Sequence, residues 1–308
     1  MNWSGVMPAI TTCFDSQYGI DHAFMAGHCR WLIENGCTAI VSLGSLGEGA
    51  ALDYGEKLAI LDTCVRAVGS SAPVVAAVSS LRTSEAVQLA RDAARRGCEG
   101  LMILPPYVYR GDSREMKSHI SAVLRATDLP GMLYNNPVSY GTDFLPEDVA
   151  ELAAAHPNLQ AVKESSADVR RVTAIRALLG DRLSVLIGVD DAIIEGIAAG
   201  AVGWIAGLVN ALPAESVALF RHASNGERKQ ASAIYNWFLP LLRMDTVPKF
   251  VQLIKLVQQD AGHGSARVRP PRLELEGTEL HEARAIIRHA LETRPRLARP
   301  IVERVARS

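Results

Sequence analysis

Short apolar segments alternate with helical patterns along the first 210 residues of the chain. The apolar segments are nearly continuous rather than alternating with polar residues, which is typical of strands buried on both faces of a parallel sheet. The pattern predicts eight strands, at residues 6–11, 39–43, 74–78, 100–104, 131–134, 160–163, 184–188 and 203–205.

Segments with the period of an amphipathic helix lie between these strands, at residues 23–34, 56–68, 84–96, 113–126, 146–155, 170–179 and 191–199. An eighth helix should begin near Pro213. This alternation favours an α/β fold of the closed (β/α)8 TIM-barrel type over residues 1–225. Residues 226–308 predict a C-terminal helical extension packed on the barrel, with helices at 227–259 and 278–293 joined through residues 262–271. We expect a single structural unit.

Composition narrows the classes of function. The chain has 308 residues, of which 48% are hydrophobic and 21% charged, as in ordinary globular proteins. A formal net charge of −1 gives no electrostatic basis for binding nucleic acid or an anionic membrane surface. The five cysteines lack metal-binding spacing, and residues 1–12 carry no export signal. We therefore expect a cytoplasmic protein with reduced thiols, a small-molecule substrate, and no metal or organic cofactor.

The lysine that ends the predicted sixth strand is the most informative single residue. In a (β/α)8 barrel the active site lies at the carboxyl ends of the strands, so Lys163 should point into the barrel mouth. Burial there lowers the pKa of a lysine amine, and a neutral amine can attack a carbonyl or imine carbon to form a Schiff base. The alternative is a buried ion pair of Lys163 with Glu48 or Glu164. Position alone does not decide between them.

The glycine-rich segment from Gly44 to Gly49 follows the second predicted strand. Its order of glycines matches neither a phosphate-binding loop nor a dinucleotide-binding loop. Its backbone N–H groups could hold a carboxylate, or the segment could simply be a tight turn that needs glycine geometry.

Two tyrosines and two aspartates also lie at predicted strand ends. Tyr134 and Tyr107 offer phenols that become useful proton shuttles when another hydroxyl, such as that of Ser45, bonds to them. Each tyrosine could equally be a packing residue. Asp190 and Asp191 could act as acids, but their position directly after the seventh strand favours caps of the next helix.

Taken together, these strand ends resemble the dihydrodipicolinate synthase / N-acetylneuraminate lyase family over roughly residues 3–300. The resemblance is carried by four motifs in order on successive strands: GSLGE at 44–48, LYNNP at 133–137, KESS at 163–166 and GVDD at 188–191. It implies four catalytic residues: the Schiff-base lysine Lys163, the proton shuttle Tyr134, the hydroxyl relay Ser45, and Tyr107, which this family contributes across a subunit interface. It also implies a homotetramer, a dimer of dimers, and a substrate site formed by Gly44, Ser45, Leu46, Gly47, Ser139, Gly188 and Ile205. The N–H groups of Ser45 and Leu46 would bind the α-carboxylate.

Two departures from the family pattern bear on the substrate. Synthases of this family carry an arginine two residues after the proline of the tyrosine motif, where this chain has Ser139. A serine cannot form the bidentate pair that arginine forms with a carboxylate. Leu46 likewise replaces the second hydroxyl of the glycine-rich motif. Both departures argue against lysine biosynthesis.

Several stretches resemble the branch that deaminates Δ1-pyrroline-4-hydroxy-2-carboxylate in hydroxyproline breakdown, namely residues 134–141, 163–171 and 237–242. We therefore expect a Schiff-base deaminase that yields 2,5-dioxopentanoate and ammonia. A synthase-like enzyme, or a dehydratase or aldolase of 2-keto-3-deoxy sugar acids, is the alternative within the family. The non-enzymatic alternative is a barrel that binds an oxo or imino acid without turning it over, although such a protein would not need Lys163.

Overall fold

Eight parallel strands form the centre of the computed structural model, which describes residues 1–297. Each strand is short and most of its residues are buried, as the apolar segments predict. The strands are β1 Gly5–Pro8, β2 Ile40–Ser42, β3 Val74–Val78, β4 Gly100–Ile103, β5 Gly131–Asn135, β6 Leu159–Glu164, β7 Ser184–Ile187 and β8 Gly203–Ala206.

Helices surround the strands and continue into the C-terminal part of the described chain. Asp53 and Asp112 begin two of them with capping boxes, in which the aspartate and the glutamate three residues later bond each other's backbone N–H groups. The helices are α1 His22–Glu34, α2 Tyr54–Val68, α3 Thr83–Arg95, α4 Ser113–Leu124, α5 Pro137–Tyr140, α6 Pro146–Ala155, α7 Arg170–Leu179, α8 Ile193–Ala198, α9 Pro213–Ser224, α10 Arg228–Leu242, α11 Phe250–Asp260 and α12 Gly277–Glu292.

The strand order is that of a (β/α)8 barrel, which confirms the predicted fold class. Neighbours follow in the order β1-β8-β7-β6-β5-β4-β3-β2, and all seven pairings are parallel. A parallel bridge between Ala9 and Val41 lies where β1 meets β2, and the Ile10 N–H donates to the Val41 carbonyl at 2.9 Å. The carboxyl ends of all strands therefore share one rim. Among the described residues, no helix is both long and apolar enough to span a membrane.

The predicted helix over residues 227–259 is wrong in its middle. The structure has two helices, α10 and α11, separated by a 3-10 turn at Arg243–Thr246 and an extended residue, Val247. Pro248 explains the break, because proline lacks the N–H that a helix needs and restricts the residue before it. The break turns residues 245–250 toward the barrel mouth.

The segment between α11 and α12, predicted as a simple connection, contacts the barrel mouth directly. The Arg269 N–H donates to Glu48 Oε2 at 2.9 Å, and its guanidinium bonds both carboxylate oxygens of Glu56. The end of the described chain is also attached, because Arg294 forms two bonds with the buried Glu215. The last eleven residues of the predicted extension, 298–308, lie outside the described residues.

Candidate active site

Lys163 lies in β6 with its side chain in the barrel mouth, and only 6% of the residue is exposed. Neither of the alternative ion pairs, with Glu48 or with Glu164, forms in the described chain. Glu48 pairs instead with Lys255 at 2.8 Å, and Glu164 accepts hydrogen bonds from Asn135 and from the Ser166 N–H. No carboxylate among residues 1–297 lies within 4.0 Å of the Lys163 amine. Burial is the largest effect on this amine and lowers its pKa.

Tyr134 is paired in register with Lys163 on the neighbouring strand β5. The Lys163 Nζ lies 4.0 Å from the centre of the Tyr134 ring. The side-chain amide of Asn136 donates to the phenol oxygen at 3.0 Å, while burial raises the pKa of the phenol. The structure thus brings together an amine and a phenol that the sequence predicts at two separate strand ends.

Gly188 sits against the Lys163 side chain because no larger residue fits there. A Cβ at this position would lie 2.3 Å from Lys163 Cε and 2.0 Å from Ser165 Oγ. The glycine therefore lets the end of β7 approach the lysine side chain closely.

The Ser45 hydroxyl forms a short hydrogen bond with the hydroxyl of Tyr140, not with that of Tyr134. The Tyr140 ring in turn meets the Tyr134 ring edge-on, with 5.6 Å between centroids. Tyr140 lies within a segment of sequence resemblance, yet sequence reasoning assigned it no role. Its position on α5, a one-turn helix that the apolar pattern does not predict, explains the omission.

The glycine-rich loop presents free backbone donors to the cavity. The N–H groups of Ser45 and Leu46 donate to no other group within the described chain, while the Glu48 N–H bonds back to the Ser45 carbonyl at 3.1 Å. Thr12 fixes the far side of the loop by donating its hydroxyl to the Gly47 carbonyl at 2.7 Å. Free N–H groups at a buried loop are suited to a carboxylate.

One cavity of about 480 Å³ collects most of the predicted site residues. It is lined by Gly44, Ser45, Leu46, Tyr134, Ser139, Lys163, Gly188 and Ile205. Gly47 and Tyr107 do not line it. A Cβ on Gly47 would point at the Ile10 carbonyl, 2.9 Å away, and Tyr107 lines an adjoining cavity of about 120 Å³ beside Ser45 and Tyr140.

Sequence reasoning missed the opposite wall of the main cavity. It comes from the C-terminal extension rather than from a strand end, and consists of Asp245, Thr246, Val247, Pro248, Phe250 and Arg272. The guanidinium of Arg272 makes no hydrogen bond within residues 1–297, and its closest carboxylate oxygen, on Glu48, is 4.0 Å away. No motif marks these residues, because only the break between α10 and α11 carries Asp245 into the cavity.

The prediction that Asp190 and Asp191 cap the following helix is wrong. Helix α8 begins after Ala192, with no side-chain cap. The buried Asp190 carboxylate instead accepts bonds from Trp204 Nε1 at 3.0 Å and from the Leu208 N–H at 2.9 Å. Burial raises the pKa of Asp190 to about 6 despite these donors.

A lysine and a tyrosine thus lie buried side by side at the mouth of a (β/α)8 barrel, where enzymes of this fold have their active sites. The chain belongs to the Dihydrodipicolinate synthetase family, whose model matches residues 2–290. It is 30% identical over 288 residues to 4-hydroxy-tetrahydrodipicolinate synthase of Haloarcula marismortui, an alignment that covers 93% of this chain and 94% of the relative.

Solved structures of similar fold agree with the family assignment. The dihydrodipicolinate synthase of Bacillus anthracis superimposes with a TM-score of 0.90 and 27% identity, covering 96% of this chain and all of that one. The 4-hydroxy-tetrahydrodipicolinate synthase of Methylacidiphilum fumariolicum has a TM-score of 0.91 and 26% identity, and the match covers 94% and 97% of the two chains.

Proposed function

We propose that this protein is a Schiff-base-forming lyase that acts on a small 2-oxo or cyclic 2-imino carboxylate. The observation that supports it is the Lys163 amine, buried beside the Tyr134 phenol and outside any ion pair in the described chain. Lowering of its pKa by burial makes the neutral, nucleophilic amine more accessible near neutral pH. The free N–H groups of Ser45 and Leu46 would hold the substrate's carboxylate.

Two finer activities fit this chemistry, and different observations favour each. The relatives' names favour a synthase-like condensation, in which the enamine formed on Lys163 attacks an aldehyde. Ser139 favours the deaminase instead, because the cavity wall at that position offers no guanidinium for a second substrate's carboxylate. The Arg272 guanidinium lies on the other wall and is the only arginine that lines the cavity within the described residues.

In the deaminase reaction, Lys163 attacks C2 of Δ1-pyrroline-4-hydroxy-2-carboxylate, and the ring nitrogen leaves C2 as a primary amine. The Tyr134 phenol relays a proton from C3: it accepts that proton and passes its own hydroxyl proton to the C4 hydroxyl, which departs as water. Unsaturation moves to C4–C5 and then yields an imine at C5, which water hydrolyses to an aldehyde and ammonia. A second water releases 2,5-dioxopentanoate from Lys163.

Borohydride trapping tests the proposal. The protein is incubated with pyruvate or with the pyrroline and reduced, and the masses of the intact chain and of its peptides are measured by mass spectrometry. Ammonia and pyruvate are assayed in parallel samples without reductant. We expect an adduct on Lys163 that is absent from Lys163→Ala and retained in the exposed-lysine control Lys249→Ala. No adduct with either compound would reject the proposal.

The same experiment separates the finer activities. Ammonia released from the pyrroline identifies the deaminase. An adduct with pyruvate alone, together with loss of pyruvate when a carboxylated aldehyde is added, identifies the synthase-like reaction. Pyruvate released from a 2-keto-3-deoxy sugar acid identifies an aldolase, and loss of water from that acid without pyruvate identifies a dehydratase.

We also propose that the protein assembles as a homotetramer, a dimer of dimers. Exposed apolar side chains support an interface next to the cavity of Tyr107: Val108 is 74% exposed, Tyr109 58% and Leu81 47%. A second copy packed there would bury them and bring its own Tyr107 close to the site. Sedimentation velocity tests this directly, with Val108→Glu expected to reduce the assembly and a monomeric wild-type protein contradicting it.

A further inference from the structure

Asp245 places a carboxyl group in the Lys163 cavity with nothing bonded to it. Its Oδ1 is buried and accepts no hydrogen bond within residues 1–297. The same oxygen lies so close over Gly207 that a Cβ there would be 2.1 Å away. A buried polar atom without a partner is costly, and a catalytic role is one explanation for keeping it.

The neighbouring carboxyl of Asp190 differs from Asp245 in both respects. Asp190 is held by three donors, Trp204 Nε1 and the N–H groups of Gly207 and Leu208, and it does not line the cavity. Asp245 lines the cavity and has no donor. Asp245 is therefore the carboxyl that can exchange a proton with a substrate.

Burial and two neighbouring carboxylates favour the protonated form of Asp245. Burial raises the pKa of Asp245 well above that of a free carboxyl, and the charges of Asp190 and Asp191 raise it further, while Lys163 opposes them. Burial also lowers the pKa of Lys163, which favours the neutral amine. Both shifts favour the uncharged forms of the two groups in one desolvated cavity.

We propose that Asp245 donates the proton needed for Schiff-base formation and then serves, as a carboxylate, as the counter-ion of the Lys163 iminium. This inference rests on the proposed function. It assigns a catalytic role to the C-terminal extension, and it applies to 2-oxo acids and cyclic 2-imines alike, because both lose a leaving group from C2 at this step.

The step balances in atoms and charge. The Lys163 nitrogen forms a bond to C2 and gives up one of its two hydrogens, and Asp245 gives up its carboxyl proton. Both hydrogens end on the leaving atom, so the oxygen of an oxo acid departs as water and the ring nitrogen of an imine as a primary amine. The products on the protein are one iminium and one carboxylate, so the cavity keeps a net charge of zero from these two groups. A cavity that desolvates charges favours such a pairing over an isolated iminium.

The rate of adduct formation tests the inference, with pyruvate as the probe. Wild type and Asp245→Asn are mixed with pyruvate and borohydride and quenched at intervals, and the fraction of protein that carries the adduct is measured by mass spectrometry. Asparagine preserves the shape of the side chain but can neither give up the proton nor carry the charge. We expect the rate for Asp245→Asn to fall about a hundredfold, the usual effect of losing a general acid. Asp260→Asn is the matched control, because Asp260 is a carboxyl of the same C-terminal extension that pairs with Arg284 and does not line the cavity.

The sign of the change separates catalysis from simple electrostatics. If Asp245 only raised the pKa of Lys163, its removal would leave more neutral amine and speed up adduct formation. Formate should restore the rate of Asp245→Ala in proportion to its concentration and leave the rate of Asp260→Ala unchanged, a result that a structural role does not produce. A rate for Asp245→Asn within threefold of wild type, or above it, would overturn the inference. Absence of any adduct in the wild type would instead reject the proposed function.

Discussion

Lys255 donates a hydrogen bond of 2.8 Å to Glu48, although the two residues are 207 positions apart and both side chains are almost completely buried. The same amine also donates to the Thr12 carbonyl at 2.8 Å. The pair connects α11 of the C-terminal extension with the glycine-rich loop that offers its N–H groups to the cavity. The extension therefore supports both walls of the site: it supplies Asp245 to one and holds the loop that forms the other.

Removing the cation of this pair should destabilise the protein strongly. Lys255→Met leaves the Glu48 carboxylate buried without its cation, and we expect a loss of about 3–5 kcal/mol in the free energy of unfolding. Urea unfolding measures it. The double variant Lys255→Met/Glu48→Gln should recover part of the loss, because no buried charge remains. Lys249→Met is the control, since its partner Glu279 is exposed and such pairs contribute about 0–1 kcal/mol. Equal effects of Lys255→Met and Lys249→Met would contradict the role of the buried pair.

A methyl group at Gly188 should slow catalysis by moving the lysine. Because the added Cβ would overlap Lys163 Cε, the amine must shift, and we expect adduct formation with pyruvate to slow about a hundredfold in Gly188→Ala. The matched control is Gly27→Ala in α1, where an added Cβ meets nothing within 4 Å. Trapping rates of both variants check the prediction. An unchanged rate for Gly188→Ala would show that other atoms of the cavity move to accommodate the methyl group and that the Lys163 amine stays in place.

His28 should make stability depend on pH below neutrality. Burial lowers the pKa of His28 from 6.5 to about 4, so between these values the unfolded chain binds a proton that the folded chain does not. The contribution of neutral His28 to the free energy of unfolding is therefore fully present above pH 6.5. It is lost as the pH falls toward 4, by about 3 kcal/mol over the whole interval. Asp190, with its raised pKa, acts in the opposite direction, so the test is the difference between wild type and His28→Gln.

Unfolding free energies at pH 7.5 and 4.5 measure that difference. His28→Gln should lose less stability on acidification than wild type, while His281→Gln, at an exposed position, should match wild type. Parallel losses in all three proteins would show that the His28 ring is protonated in the folded state.

The parts of the protein that sequence predicts are those built by local, repeated patterns. Continuous apolar segments must be buried on both faces, so the eight strands follow, and the end of a strand fixes where Lys163 and Tyr134 point. Helix bounds agree closely where a cap or a terminal glycine marks them, as at Gly180 after α7. These signals lie within a few residues of the feature they predict.

Asp245 and Arg272 could not be predicted in this way. Their place in the cavity depends on how the C-terminal extension folds back over the barrel, which involves contacts across more than 200 residues, such as that of Arg269 with Glu48. Residues 227–259 have helical periodicity on both sides of the break, so the pattern alone predicts one continuous helix. The prediction for Asp190 was wrong for a related reason, because its partners Trp204 and Leu208 belong to the next strand and the turn after it.

The bond between Ser45 and Tyr140 predicts that two hydroxyls act as one unit in catalysis. Tyr140→Phe keeps the ring that packs edge-on against Tyr134 and removes only the hydroxyl, so adduct formation on Lys163 should persist while turnover falls about tenfold or more, as for a lost proton relay. Ser45→Ala should cost a similar factor, and the double variant hardly more, because residues that work together are not additive. Tyr235→Phe is the control, since that hydroxyl bonds the Asp191 carbonyl and does not line the cavity. Independent, multiplying losses in kcat would show that the two hydroxyls act separately and would contradict the prediction.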